Sequence, residues 1–153
     1  MGEKTDEAKE MADESRWLYV LTAEDREELL GALAIASQKR CTVEGIGSRD
    51  FPLPRFSAML ADIGRRLDRG TGFRILRGLP IEGLPMADLE LMYAGMTSHM
   101  GRMINQDTRG TLIEPVYDKG QSYDSSIAVR GYTTNAQLTP HCDSGDLVAL
   151  LCV

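Results

Sequence analysis

Two residues near the end of the sequence, His141 and Asp143 in "LTPHCDSGD", place an imidazole and a carboxylate two positions apart. Side chains at this spacing point the same way from an extended strand, because successive side chains alternate between its faces. Together they supply two of the three ligands of the 2-His-1-carboxylate face that binds non-haem Fe(II). The same stretch could instead be a plain turn, since Pro140, Ser144 and Gly145 are turn formers.

Other chemistries find less support in the residues. Cys142 adjoins His141 and suggests a thiol nucleophile, but adjacent strand residues face opposite ways, so activation of one by the other is not expected. Ser144 lacks the nucleophile elbow of a hydrolase. Gly70 and Gly72 precede a strand pattern instead of following one, which argues against a dinucleotide-binding fingerprint. A metal-ligand pair and a plain turn are therefore the two interpretations that remain.

The elements that would position this pair follow from hydrophobic spacing. Thr22 is a suitable N-cap, and Leu29, Leu30, Leu33 and Ala36 are expected to face the core. The patterns predict a strand over 16–21, a helix over 23–37, a helix from Phe56 that stops before Gly70, a strand within 72–80 and a helix over 86–100.

Short β-prone segments follow residue 101, at 110–116, 125–132 and 146–153. Helices followed by strands argue for an α+β architecture with an antiparallel sheet or barrel at the C-terminal side. The closing "LVALLCV" shows no alternation and predicts a strand buried on both faces. His99 lies on the apolar stripe of the third predicted helix and is expected to pack there without binding a metal.

Length, composition and charge limit the class of protein to which the chain can belong. The 153 residues, 42% hydrophobic and 26% charged, suit one globular domain. Residues 1–15 hold six acids and two lysines, which predicts an acidic disordered tail before a folded domain over 16–153. A net charge of −6 gives no reason to expect nucleic-acid binding. Without an apolar run near the ~20 residues of a membrane span, and without a signal-like N-terminus, a cytoplasmic location is expected.

The final stretch also carries a resemblance to a known family. Its Leu138, His141 and Asp143 match the Leu-x-x-His-x-Asp element of the TauD/TfdA family of Fe(II)/2-oxoglutarate-dependent dioxygenases, with Cys142 where that family often has Thr. The resemblance spans residues 16–153. The segments that carry it are "GFRILRGLP" (72–80), Gly101 with Gln106 in "GRMINQ", and "RGYTTNAQLTPHCDSGDLVALLCV".

The resemblance implies an α+β fold, with N-terminal helices beside part of a double-stranded β-helix (jelly-roll) core. It implies that His141 and Asp143 are the metal-binding and catalytic residues, with Fe(II) as cofactor, 2-oxoglutarate as co-substrate, and O₂ and a small organic molecule as substrates. Asn135 and Gln137 are the substrate-binding candidates, because the corresponding strand of the family borders the active site.

The family also has a second His ligand and an Arg that binds 2-oxoglutarate, and neither can be placed in this sequence. We therefore expect an incomplete, N-terminal part of a dioxygenase domain that is inactive alone. One alternative is a non-catalytic relative that serves as a weak metal-binding or interaction module, and another is a small β-barrel without metal. The open edge of the last apolar strand would allow a homo-oligomer or pairing with another chain.

Overall fold

The computed structural model describes residues 11–69, 72–117, 137, 143 and 145–153. Their contacts divide into two compact units, Met1–Met103 with Leu151–Val153, and Ile104–Leu150. All helices and strands found among the described residues belong to the first unit. They are a 3-10 turn (Glu14–Arg16), β1 (Leu18–Val20), α1 (Ala23–Gln38), α2 (Phe56–Arg69), β2 (Ile75–Arg77) and α3 (Met86–Thr97).

These elements confirm the five predicted within the first hundred residues. The helix boundaries agree to within about a residue except at the end of α3, which stops at Thr97 and not at 100. There the N–H groups of His99 and Met100 donate to the carbonyls three residues earlier, at Met96 and Thr97. Such tighter bonds satisfy the free carbonyls of a helix end and close the last turn.

The two strands form a parallel pair, with Leu18 opposite Ile75 and Val20 opposite Arg77. A parallel pair requires a long crossover connection, which α1 and α2 supply here. The rings of Trp17 and Phe73, one residue before β1 and two before β2, lie with their centroids 5.8 Å apart. The aromatic contact therefore holds the two strands together at the end where they begin.

The junction between β1 and α1 depends on Asp25, a carboxylate that is only 5% exposed. Its Oδ2 accepts hydrogen bonds from the Thr22 backbone N–H (2.9 Å) and the Tyr19 hydroxyl (2.8 Å). The Asp25 N–H in turn donates to Thr22 Oγ1 at 3.2 Å, which completes a capping box. Burial acts to raise the pKa of Asp25, but the bonds from Thr22 and Tyr19 and the charge of Arg55 outweigh it, so the pKa is lowered.

A second carboxylate links α1 to α2. Glu28 Oε1 accepts the backbone N–H groups of Arg55 (2.9 Å) and Phe56 (3.0 Å). Phe56 is the first residue of α2, and the first N–H groups of a helix have no partner within it. A side chain of α1 therefore caps α2 and fixes where the second helix begins.

The core of the first unit lies between α1, α2, α3 and the loop before α2. Phe51 of that loop is fully buried against α3, where Gly95 faces its ring. A Cβ at position 95 would overlap the Phe51 ring and lie 2.9 Å from its Cβ. The buried apolar residues of the unit are Leu21, Leu29, Ala32, Leu33, Ala36, Ile46, Phe51, Leu53, Phe56, Leu60, Ile63, Leu89, Leu91, Met92, Ala94 and Met96.

The structure differs from the sequence predictions at Leu30 and in the segment 146–153. Leu30 was expected in the core but is 41% exposed, because the buried face of α1 follows Leu29, Leu33 and Ala36. The segment 146–153 is not a strand, and Leu150 within it is 81% exposed. A segment becomes a strand only when another backbone pairs with it, and among the described residues only β1 and β2 pair.

The β-prone segment at 110–116 also differs from its prediction, while other predictions are not tested by the described residues. Residues 110–116 are described and form no strand, while 125–132 lie outside the described residues. The jelly-roll core stays a prediction. So does the acidic tail, of which 1–10 lie outside the described residues, while Trp17 Nε1 donates to the Met11 carbonyl at 3.0 Å. No helix in the described ranges is both long and apolar enough to cross a bilayer.

The contact between Gly95 and Phe51 predicts that alanine at position 95 destabilises the folded protein. Although alanine favours a helix over glycine, Gly95→Ala should lower the free energy of unfolding by about 1–3 kcal/mol, because the new methyl group overlaps a ring that cannot move away. Gly31→Ala is the matched control: it lies inside α1 with nothing within 4 Å of the added Cβ, and should raise stability by up to about 1 kcal/mol. Denaturant unfolding measures both, and equal effects would contradict this packing.

The Asp25 junction predicts a pH-dependent stability. Asp25→Asn removes a charged acceptor of two hydrogen bonds and should cost about 1–3 kcal/mol at pH 7. Because the folded pKa lies below the unfolded one, the contribution of the carboxylate is full above pH about 4 and is lost as the pH falls through the folded pKa. The difference between wild type and Asp25→Asn in denaturant unfolding should therefore shrink below pH 4. A difference that stays constant from pH 7 to pH 3 would count against this.

Candidate metal centre

Of the four predicted site residues, two lie among the described residues and two do not. His141 and Asn135 lie outside the described residues. Asp143 and Gln137 are described, and both are exposed. The pairing of His141 with Asp143 as ligands, and the substrate role of Asn135 and Gln137, therefore stay predictions.

Within the described ranges, no three His, Cys, Asp or Glu side chains converge in a way that could hold a metal ion. His99, which the sequence places outside any metal site, lies two residues after α3 with its Nε2 2.8 Å from the Phe51 carbonyl oxygen. A carbonyl only accepts, so Nε2 must carry the proton and has no lone pair for a metal. His99 instead fastens the end of α3 to the loop that carries Phe51.

The second unit contains a compact turn immediately after the Gln106 that matches the family pattern. The Gln106 N–H donates to the Thr111 carbonyl at 2.6 Å, and its side-chain amide donates to the Ile104 carbonyl at 3.1 Å. Between these residues, Asp107 accepts from the backbone N–H groups of Arg109 (2.9 Å) and Thr111 (3.0 Å). Gln106 thus has a structural role, which is to close a turn.

Asp107 is the most strongly bound carboxylate of this turn, and the sequence analysis did not single it out. The Thr111 N–H and the Arg109 guanidinium, whose Nε lies 2.7 Å from Oδ2, hold the pKa of Asp107 well below its usual range. A carboxylate that is saturated with donors in this way is a poor candidate for acid–base catalysis near neutral pH. The run Asp-Thr-Arg-Gly-Thr could have indicated such a turn, because Asp and Gly favour it.

The sequence of the chain is similar to that of a biosynthetic enzyme. No protein-family model matches the sequence. The chain is 33% identical over 144 residues to FR-33289 synthase from Streptomyces rubellomurinus (strain ATCC 31215). The alignment covers 94% of this chain and 42% of the synthase, so the chain spans less than half the length of this relative. The chain is therefore similar, along nearly all of its length, to one part of a protein named as a synthase.

Proposed function

We propose that this chain contributes the first two metal ligands of an Fe(II)/2-oxoglutarate-dependent dioxygenase of the TauD/TfdA type, with His141 and Asp143 as those ligands. The reaction would couple decarboxylation of 2-oxoglutarate by O₂ to hydroxylation of a small organic substrate. The observation that carries the proposal is the similarity to a synthase along 94% of the chain, together with a His-x-Asp pair inside the matched segment.

The position of the pair within the alignment supports this assignment. The alignment leaves out about nine residues of the chain, fewer than the ten that follow Asp143. His141 and Asp143 therefore lie within the matched segment whichever end is left out. The aligned segment thus extends over the positions whose chemistry suggested a metal site, and is not confined to the helical region.

The donor chemistry of the pair fits a ferrous ion. A neutral imidazole and a carboxylate bind divalent iron well, and a facial arrangement leaves other positions open for co-substrate and O₂. Asp143 is exposed, so an ion can reach this part of the chain. Iron bound with 2-oxoglutarate would supply the oxidising chemistry of the site.

The chain itself would hold the metal ion and orient the substrate. His141 and Asp143 would grip one face of the ion and leave the opposite face free. Gln137, which is exposed, and Asn135 each carry an amide that can donate and accept hydrogen bonds, and would orient the polar groups of the substrate.

A metal titration tests the ligand assignment, with Co(II) as a spectroscopic substitute for Fe(II). The purified chain should bind one Co(II), and His141→Ala should weaken binding by at least about tenfold, because it removes a direct ligand. Asp143→Asn should weaken it in the same direction. The d–d absorption of Co(II), and paramagnetic broadening of NMR resonances near residue 143, measure the effect.

The chain offers a matched control for each ligand. His99→Gln changes the only other histidine, whose Nε2 is committed to the Phe51 carbonyl, and should leave Co(II) affinity unchanged. Asp146→Asn changes an exposed acid three residues after Asp143 and should also have no effect. The proposal fails if His141→Ala and His99→Gln weaken Co(II) equally, or if the wild-type chain binds no Co(II).

A further inference from the structure

A cleft of about 340 Å³ lies in the first unit, where the end of α1 faces the start of α3. Its volume falls at the small end of the range for ligand pockets. Among the described residues, the lining of the cleft comes from the first unit alone. The cleft is lined by Ser37, Arg40, Cys41, Thr42, Val43, Ala87, Asp88, Glu90 and Leu91.

Charges of both signs line this cleft without neutralising one another. Arg40 follows the end of α1, while Asp88 and Glu90 belong to α3. Among the described residues, none of the three side chains takes part in an ion pair or hydrogen bond. Charges of opposite sign that line one cleft but do not meet leave room for a ligand that carries both signs itself.

The backbone of Arg40 is a second, independent observation. Its φ is +56°, in the left-handed region that favours glycine. The bonds from the Arg40 N–H to the Ser37 carbonyl (3.0 Å) and from the Cys41 N–H to the Ala36 carbonyl (3.0 Å) form the Schellman motif that usually has glycine at this position. Strained residues concentrate at ligand-binding loops, where the side chain is needed in spite of the backbone cost.

Neutral polar and apolar groups complete the lining. Ser37 and Thr42 bring hydroxyl groups that can donate or accept, and Cys41 is a free, half-buried thiol. Val43 and Leu91 add apolar surface suited to a short hydrocarbon spacer. The lining thus combines one cationic, two anionic, several neutral polar and some apolar side chains.

We propose that this cleft binds a small zwitterion, with its anionic group on Arg40 and its ammonium group on Asp88 and Glu90. A guanidinium binds carboxylate or phosphate-type oxygens through paired N–H donors, and carboxylates accept from an ammonium ion. A ligand with a single charge would pair either with Arg40 or with the two carboxylates, but not with both. The site is independent of the proposed iron chemistry and does not require it.

An NMR titration with 4-aminobutyrate, β-alanine and glycine as probes tests the proposal. At least one of these zwitterions should give saturable shifts at residues 37–43 and 87–91, and should bind about fivefold or more tightly than butyrate or butylammonium, each of which lacks one charge. Arg40→Gln and the double variant Asp88→Asn/Glu90→Gln should each weaken the zwitterion about fivefold or more and bring it to the level of the singly charged probes.

Two kinds of control separate binding from folding. Arg40→Gly relieves the backbone at this position, so it should melt at or above the wild-type temperature and still lose the zwitterion as Arg40→Gln does. Arg49→Gln and Glu82→Gln change exposed charges outside the lining and should leave the affinity unchanged. Equal affinity for zwitterions and singly charged probes, unchanged affinity in Arg40→Gly, or equal loss in the Arg49 and Glu82 variants would overturn the proposal.

Discussion

The first unit depends on a buried carboxylate, Asp25, at the point where β1 turns into α1. A buried charge is costly unless donors surround it, and the Thr22 N–H and the Tyr19 hydroxyl meet that requirement. Tyr19 pairs with Leu76 in the sheet, so the same carboxylate fixes the direction of α1 relative to both strands. One turn further along, Glu28 caps α2. Two acids of one helix therefore determine where α1 and α2 begin.

Packing against α3 extends this framework to the other side of the core. The ring of Phe51 rests on the backbone at Gly95, and the Phe51 carbonyl accepts from His99. A glycine at the contact allows the loop before α2 to approach α3 more closely than any side chain would permit. The approach holds the loop near its α2 end, and the cleft at Arg40 is lined by residues from the end of α1 and from α3.

The proposed functions belong to different parts of the chain. The His141–Asp143 pair follows the residues of the helical framework in sequence and is supported by its ligand chemistry and by similarity to a synthase. The cleft is formed by the framework itself. Its proposed ligand is supported by charges of both signs that make no ion pair among the described residues, and by the positive φ of Arg40. Either can be correct without the other, because each proposal is argued from residues that the other does not use.

Local sequence alone determined the order and type of the helices and strands of the first unit. Thr22 followed by acids, and apolar residues at helical spacing from Phe56, act over one or two turns, so they could be recognised without a fold. The same holds for the chemistry of the His-x-Asp pair, since ligand type and spacing are local. The predicted core failed at Leu30, because hydrophobicity does not say which face of a helix meets a neighbour.

Only the tertiary structure decided the interactions between distant residues. Glu28 caps a helix 28 positions away, and the carbonyl of Phe51 meets a histidine 48 positions away. No local pattern records such pairs, because they arise when separate elements pack. The same reason explains the closing "LVALLCV": its apolar residues favour a strand, but a strand exists only where another backbone pairs with it, and β1 and β2 alone do so within the described residues.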